Sequence, residues 1–102
     1  MKQQKQKDML YKIYRREHAG EYSVIMDYNR ERSRALWERF REIPWLSYSA
    51  LYDRRDMDAF VVTTVINLPS LLAESESAQK DKLYDICAQV LGVNDLPYPC
   101  SL

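Results

Sequence analysis

Apolar residues recur along this chain mostly at three- and four-residue intervals, the spacing of one helical face. Met9, Leu10, Ile13 and Tyr14 place a narrow apolar stripe on a charged segment from Gln4 to about His18. Arg15, Arg16 and His18 would lie in its last turn, where cations suit the negative end of the helix dipole, and Gly20 would stop it. From Glu21 to Ile43 two readings compete. As one helix, Tyr22, Ile25 and Met26 stand at one end and Leu36, Trp37, Phe40 and Ile43 at the other, with a polar stretch between. As strand plus helix, Tyr22, Val24, Met26 and Tyr28 alternate and a helix begins at Asn29. The helical reading is adopted, with Glu31/Arg34 and Glu38/Arg41 as ion pairs on its exposed side and Pro44 as its end.

Ser47 can cap a short helix running to Asp53 or Arg55. The run Phe60 to Ile66 is β-branched, which by propensity says strand. Its order says helix, because 61, 62, 65 and 66 are apolar while 63, 64 and 67 are polar. Pro69 suits the first position of a short helix to Leu72. A last helix follows Ser77 as N-cap, with Leu83, Ile86, Cys87, Val90 and Leu91 on one face and Gly92 closing it.

These elements predict an all-α fold, a compact single-domain bundle of four to six helices over residues 1–93. An irregular, Pro-containing tail over 94–102 would follow. The alternative is an α+β fold with short strands near 22–28 and 60–67. The expected core is Leu10, Ile13, Leu36, Trp37, Phe40, Leu51, Val61, Val62, Val65, Ile66, Leu83, Ile86, Val90 and Leu91.

Composition narrows the class. The chain has 102 residues, 46% apolar, with two glycines, which argues against disorder and against a turn-rich β-sandwich. Formal charge is zero, yet residues 1–42 hold 11 Lys+Arg and 7 Asp+Glu, and residues 43–102 hold 4 and 8. The basic half therefore either contacts a partner or attracts the acidic half. Cys87 and Cys100 are too few for a disulfide framework. With no apolar run near 18 residues and a polar start, the expected compartment is cytoplasmic, with no membrane partner.

Catalytic, cofactor and metal chemistry find no footing. His18 is the only histidine, and a general base needs a partner and a pocket. Zinc would need ligands from three distant segments, His18, Cys87 and Cys100. The carboxylates of Asp53, Asp56 and Asp58 are interrupted by Arg54 and Arg55, which answer them locally. Ser77 and Lys80 match a four-letter acyl-transfer string whose companion strings are missing, and no phosphate-binding glycine loop is present.

What stands out is nine arginines, eight tyrosines and two tryptophans, the side chains most enriched at binding hot spots. Arg30, Arg34 and Arg41 fall on one side of a helix and Arg32 and Arg39 on another. Tyr14, Tyr22 and Tyr84 are assigned to the edge of the core; Tyr11, Tyr28, Tyr48 and Tyr52 to a partner surface. The sequence thus predicts a non-enzymatic protein-binding module, a small adaptor, assembly factor or inhibitor of a larger protein. Its partner-binding residues would be Tyr28, Arg30, Arg34, Arg41, Trp45 and Tyr48. A homodimer is a further expectation, because the first two segments carry more apolar surface than short helices would cover. The alternative is a nucleic-acid-binding regulator using the basic N-terminal half, against which stands an isoelectric point of about 6.6.

Overall fold

Alternation, not helical spacing, governs residues 11–26. A computed structural model describes residues 10–92. In chain order they form β1 (Tyr11–Arg15), β2 (Glu21–Met26), α1 (Arg30–Glu42), β3 (Leu46–Arg54), a short 3-10 turn (Arg55–Met57), β4 (Ala59–Ile66), α2 (Pro69–Leu72) and α3 (Glu76–Leu91). The strands make one sheet in the order β1-β2-β4-β3, with every neighbouring pair antiparallel. Strands β2 and β3 therefore run parallel to each other with β4 between them and α1 as the crossover, a split β-α-β unit.

This overturns the all-α bundle and, with it, the helical domain expected over 1–93. Tyr11, Ile13, Tyr22, Val24 and Met26 are buried at alternating positions of β1 and β2, in register with one another. The three-to-four spacing of Leu10, Ile13 and Tyr14 was a coincidence of composition: Ile13 faces the core and Tyr14 is 47% exposed on the opposite side. Gly20 ends no helix. It sits at φ +81° in the β1–β2 turn, where an added Cβ would lie 2.7 Å from Leu72 Cδ2 and 3.0 Å from the Ile66 carbonyl oxygen.

Phe60 to Ile66 satisfied both templates. It is a strand because β4 is central and hydrogen-bonded on both sides, and the β-branched Val61 and Val65 stand on the face away from the helices, where polar residues would have marked the alternation. Its one fully buried polar residue, Thr64, shares a 2.9 Å hydrogen bond with the Ser49 hydroxyl and donates to the Ser47 carbonyl at 3.2 Å. The expected short helix after Ser47 is instead β3. Its register with β4 shifts between Ser47 and Ala50, and that bulge breaks the alternation a sequence scan looks for.

Other expectations need smaller changes. α1 begins on Asn29, whose side chain accepts from the Arg32 N–H at 2.9 Å, as the strand-plus-helix alternative had it. Its ion pairs are Arg34–Glu38 and Arg39–Glu42 rather than the two expected. Pro69 does open α2. The cap of α3 is Ser75, not Ser77, accepting from the Ala78 N–H at 3.1 Å, and Gly92 closes the helix in the left-handed region. The expected tail lies outside the described residues.

The core is one layer between sheet and helices. Tyr22, Val24, Met26, Phe60, Val62 and Ile66 meet Leu36 and Phe40 from α1 and Leu83, Tyr84, Ile86 and Cys87 from α3. Val61 and Val65, expected there, point to the other face. A buried polar knot ties the layers together. The Tyr22 hydroxyl donates to Gln79 Oε1 at 2.7 Å, and Gln79 Nε2 donates to the carbonyls of Leu71, Leu72 and Glu74 at 3.1–3.3 Å. Burial, helped by nearby Glu76, pushes the Tyr22 phenol above its ordinary pKa and keeps it a donor.

Candidate functional site

The two edges of the sheet are finished differently, and the difference locates the site. On β1 the outward Ile13 N–H is taken by the Tyr84 hydroxyl of α3 at 3.3 Å. On β3, nine residues long, no described residue pairs with the outer side of Ala50–Arg54. That edge carries Tyr52, 51% exposed, and ends at the bulge with Tyr48, 86% exposed at φ +54°. An antiparallel edge strand turns alternate N–H and C=O groups outward, a template for another strand.

Helix α1 runs alongside this edge, antiparallel to β3. Two contacts fix its placement. Near its start, the Tyr28 hydroxyl donates to Asp53 Oδ1 at 3.0 Å. Beyond its middle, Trp37 Nε1 donates to the Ser49 carbonyl at 3.2 Å. At about 100° per residue, positions 30, 34, 37 and 41 fall within roughly 60° of one another, on the flank facing β3's side. Ser33, Leu36 and Phe40 take the core side.

The arginines of the two flanks are held in different ways. On the far flank, Arg32 is bound to Asp27 at 2.8 Å and Arg39 to Glu42 at 3.1 Å. On the β3 flank, Arg34 pairs with Glu38 at 3.1 Å. Arg30 and Arg41 make no ion pair among the described residues. They lie instead over aromatic rings: Arg30 is 5.4 Å from the Phe60 centroid and Arg41 4.8 Å from that of Trp37. Tyr28 stacks on the same Phe60, with centroids 4.9 Å apart.

Nothing known lends this surface a name. No family model, curated protein or solved structure matches the chain. Its chemistry must be read from the arrangement itself.

Of the residues expected to bind a partner, the fold brings Tyr28, Arg30, Arg34, Arg41 and Tyr48 to the border of the β3 edge. Trp45 is separate: it is half-buried against the core, with its carbonyl accepting the Asn67 N–H. Tyr52, assigned to a partner surface, is exposed on this edge, whereas the sequence missed Trp37 here. Trp37 had been assigned wholly to the core, and the backbone of β3, the largest part of the surface, leaves no mark in side-chain composition. Tyr11, also assigned to a partner surface, is buried.

The uncovered face of the sheet holds a second concavity of about 880 Å³, lined among others by Tyr14, Arg16, His18, Ser23, Met57 and Val61. Its charges are answered locally. Arg16 donates to the Ser23 hydroxyl at 3.2 Å and pairs with Glu21 at 3.6 Å. Arg54 is clamped by both oxygens of Asp56, whose carboxyl it holds below the usual range. Among the described residues, no group of three His, Cys, Asp or Glu could hold an ion. Burial pushes the Cys87 thiol far up, away from thiolate reactivity. Cys100 lies outside the described residues. No described helix is long and apolar enough to cross a membrane.

Proposed function

We propose that this chain is a non-enzymatic protein-binding module, a small adaptor, assembly factor or inhibitor that acts on a larger protein by contact. Its contact surface is the outer edge of β3 with the adjoining α1 flank. One observation supports this above the rest: an edge strand with no strand partner among the described residues on its outer side lies beside arginines stacked on aromatic rings. Backbone groups of such an edge provide affinity, and flanking side chains provide selectivity. Stacked arginines and tyrosines bring contact area that is already ordered. The working compartment is the cytoplasm, in keeping with Cys87 as a buried thiol.

Affinity capture from native extract, with and without nuclease, tests the reading. A protein recovered in both conditions, and lost with the Tyr28→Ala/Arg34→Ala/Arg41→Ala triple variant, is the expected result. Recovery that vanishes on nuclease treatment would replace this reading with nucleic-acid binding. Unchanged recovery by the folded variant would remove the α1 flank from the contact surface.

A further inference from the structure

Resting on that reading, we infer that the β3 edge takes an extended acidic segment of a partner protein as a fifth strand. Carboxylates at alternate positions of that segment would face Arg30 and Arg41, and apolar residues between them would face Tyr52.

The regular part of the edge is Ala50–Arg54, paired one-to-one with Ala59–Thr63. It is about 16 Å long at roughly 3.3 Å per residue. Arg30 and Arg41 are separated by a similar length, about 16 Å along α1 at 1.5 Å per residue. The Tyr28–Asp53 and Trp37–Ser49 contacts set Arg30 near the Asp53 end and Arg41 about 6 Å beyond Ser49, past the bulge end of the edge. A strand laid there alternates its side chains between the α1 side and the uncovered face. On the α1 side Arg30 and Arg41 have no ion-pair partner among the described residues, while Glu38 is tied to Arg34, Asp53 accepts the Tyr28 hydroxyl, and Glu31 stands two turns before Glu38. The uncovered face offers Tyr52.

Charge selects among occupants. A second copy paired β3 to β3 by a two-fold axis would set Arg30 of one copy beside Arg41 of the other. Such like-charge apposition opposes pairing. The chain's own ends suit the edge poorly by composition: residues 1–9 hold Lys2, Lys5 and Lys7 against Asp8, and residues 93–102 hold Pro97 and Pro99, which cannot donate to a ladder.

The test uses the full chain, labelled with nitrogen-15, and a blocked five-residue peptide of alternating Glu and Val. Its controls are the Lys/Val counterpart and an acidic peptide N-methylated at alternate amides. Expected are amide shifts confined to Ala50–Arg54 and the α1 flank, and binding weakened by salt. Affinity should fall about tenfold in the Arg30→Glu/Arg41→Glu variant, with no binding of the Lys peptide and none of the methylated one. Equal binding of the Lys peptide, shifts on the uncovered face, or no binding at low salt would overturn the inference. So would a peptide-free dimer with protected Ala50–Arg54 amides. If extract capture still depends on the α1 flank while the acidic peptide fails to bind, the binding-module reading stands and the acidic strand falls.

Discussion

Strands β1 and β3 are both edges of one sheet, yet β1 has an outward N–H bonded by a side chain of α3, while no described residue pairs with the outer side of Ala50–Arg54 in β3. The β1 edge is short, five residues, and α3 packs close enough for Tyr84 to reach round and bond the Ile13 N–H. The β3 edge is longer, and α1 meets it with a flank of arginines and Trp37, whose ring N–H covers the Ser49 carbonyl at the bulge but nothing beyond it. Natural sheets blunt their edges with bulges, charges and covering elements. Here β1 has a cover, and β3 has a bulge at one end and charges alongside. The lesson is that a guard of charge is selective: it repels a like-charged strand and admits an opposite one.

The sealed side depends on α3 being fastened to the sheet, so the most damaging change is at its fastening. Gln79→Ala strips the partner from a buried phenol and one donor from each of three carbonyls, of which Leu71's keeps the Glu74 N–H. It should cost about 3 kcal/mol, since unsatisfied buried groups lose most of their desolvation energy. Urea unfolding measures the loss, and faster hydrogen exchange at Ile13 would show the β1 edge opening with it. Next is Gly20→Val, which meets both a positive φ and the Leu72 side chain. A loss of about 2 kcal/mol is expected by the same measurement. Tyr84→Phe removes the seal itself. It should cost about 1 kcal/mol and raise exchange at Ile13 while leaving Ala50–Arg54 unaltered; equal change at both edges would break the contrast drawn here.

Smaller effects sharpen it further. Tyr52→Lys on the open edge should leave stability within about 0.5 kcal/mol, as an exposed substitution, while lowering partner capture. Alkali should act on the sealed side. The Tyr22 phenol has a folded pKa above its unfolded value, so its contribution is full below the unfolded pKa and is lost as pH rises through the folded one. Stability measured against pH should fall in that alkaline window, and Tyr22→Phe should flatten the fall.

How much of this was legible beforehand varies by element. α1 and α3 were readable as helices because each buries one stripe on a helical period, but the adopted reading ran α1 back to Glu21, with Asn29 as its start only in the alternative, and set the α3 cap at Ser77 instead of Ser75. β2 was present as the unadopted alternative: Tyr22, Val24 and Met26 alternate, but six residues are too few to outvote a neighbouring helix. β4 was ambiguous because Val61 and Val65, on the face away from the helices, hide its alternation. β3 was invisible, since its bulge disrupts the period and β4, not its own composition, makes it a strand. The arginine flank was read correctly as one side of a helix; that it borders an unpaired strand edge was not readable.

Sequence alone determined what is local in this protein: the helical face of Arg30 to Ile43, that of the last helix with its Gly92 stop, the Pro69 start and the arginine stripe at 30, 34 and 41. These depend on contacts within a few residues of one another. Tertiary structure decided the rest: which of two fitting periods Phe60–Ile66 follows, whether Ser47–Arg54 extends or coils, and which sheet edge stays open. Each of those is settled by a hydrogen-bonding partner distant in the chain, and no local pattern encodes where that partner will lie.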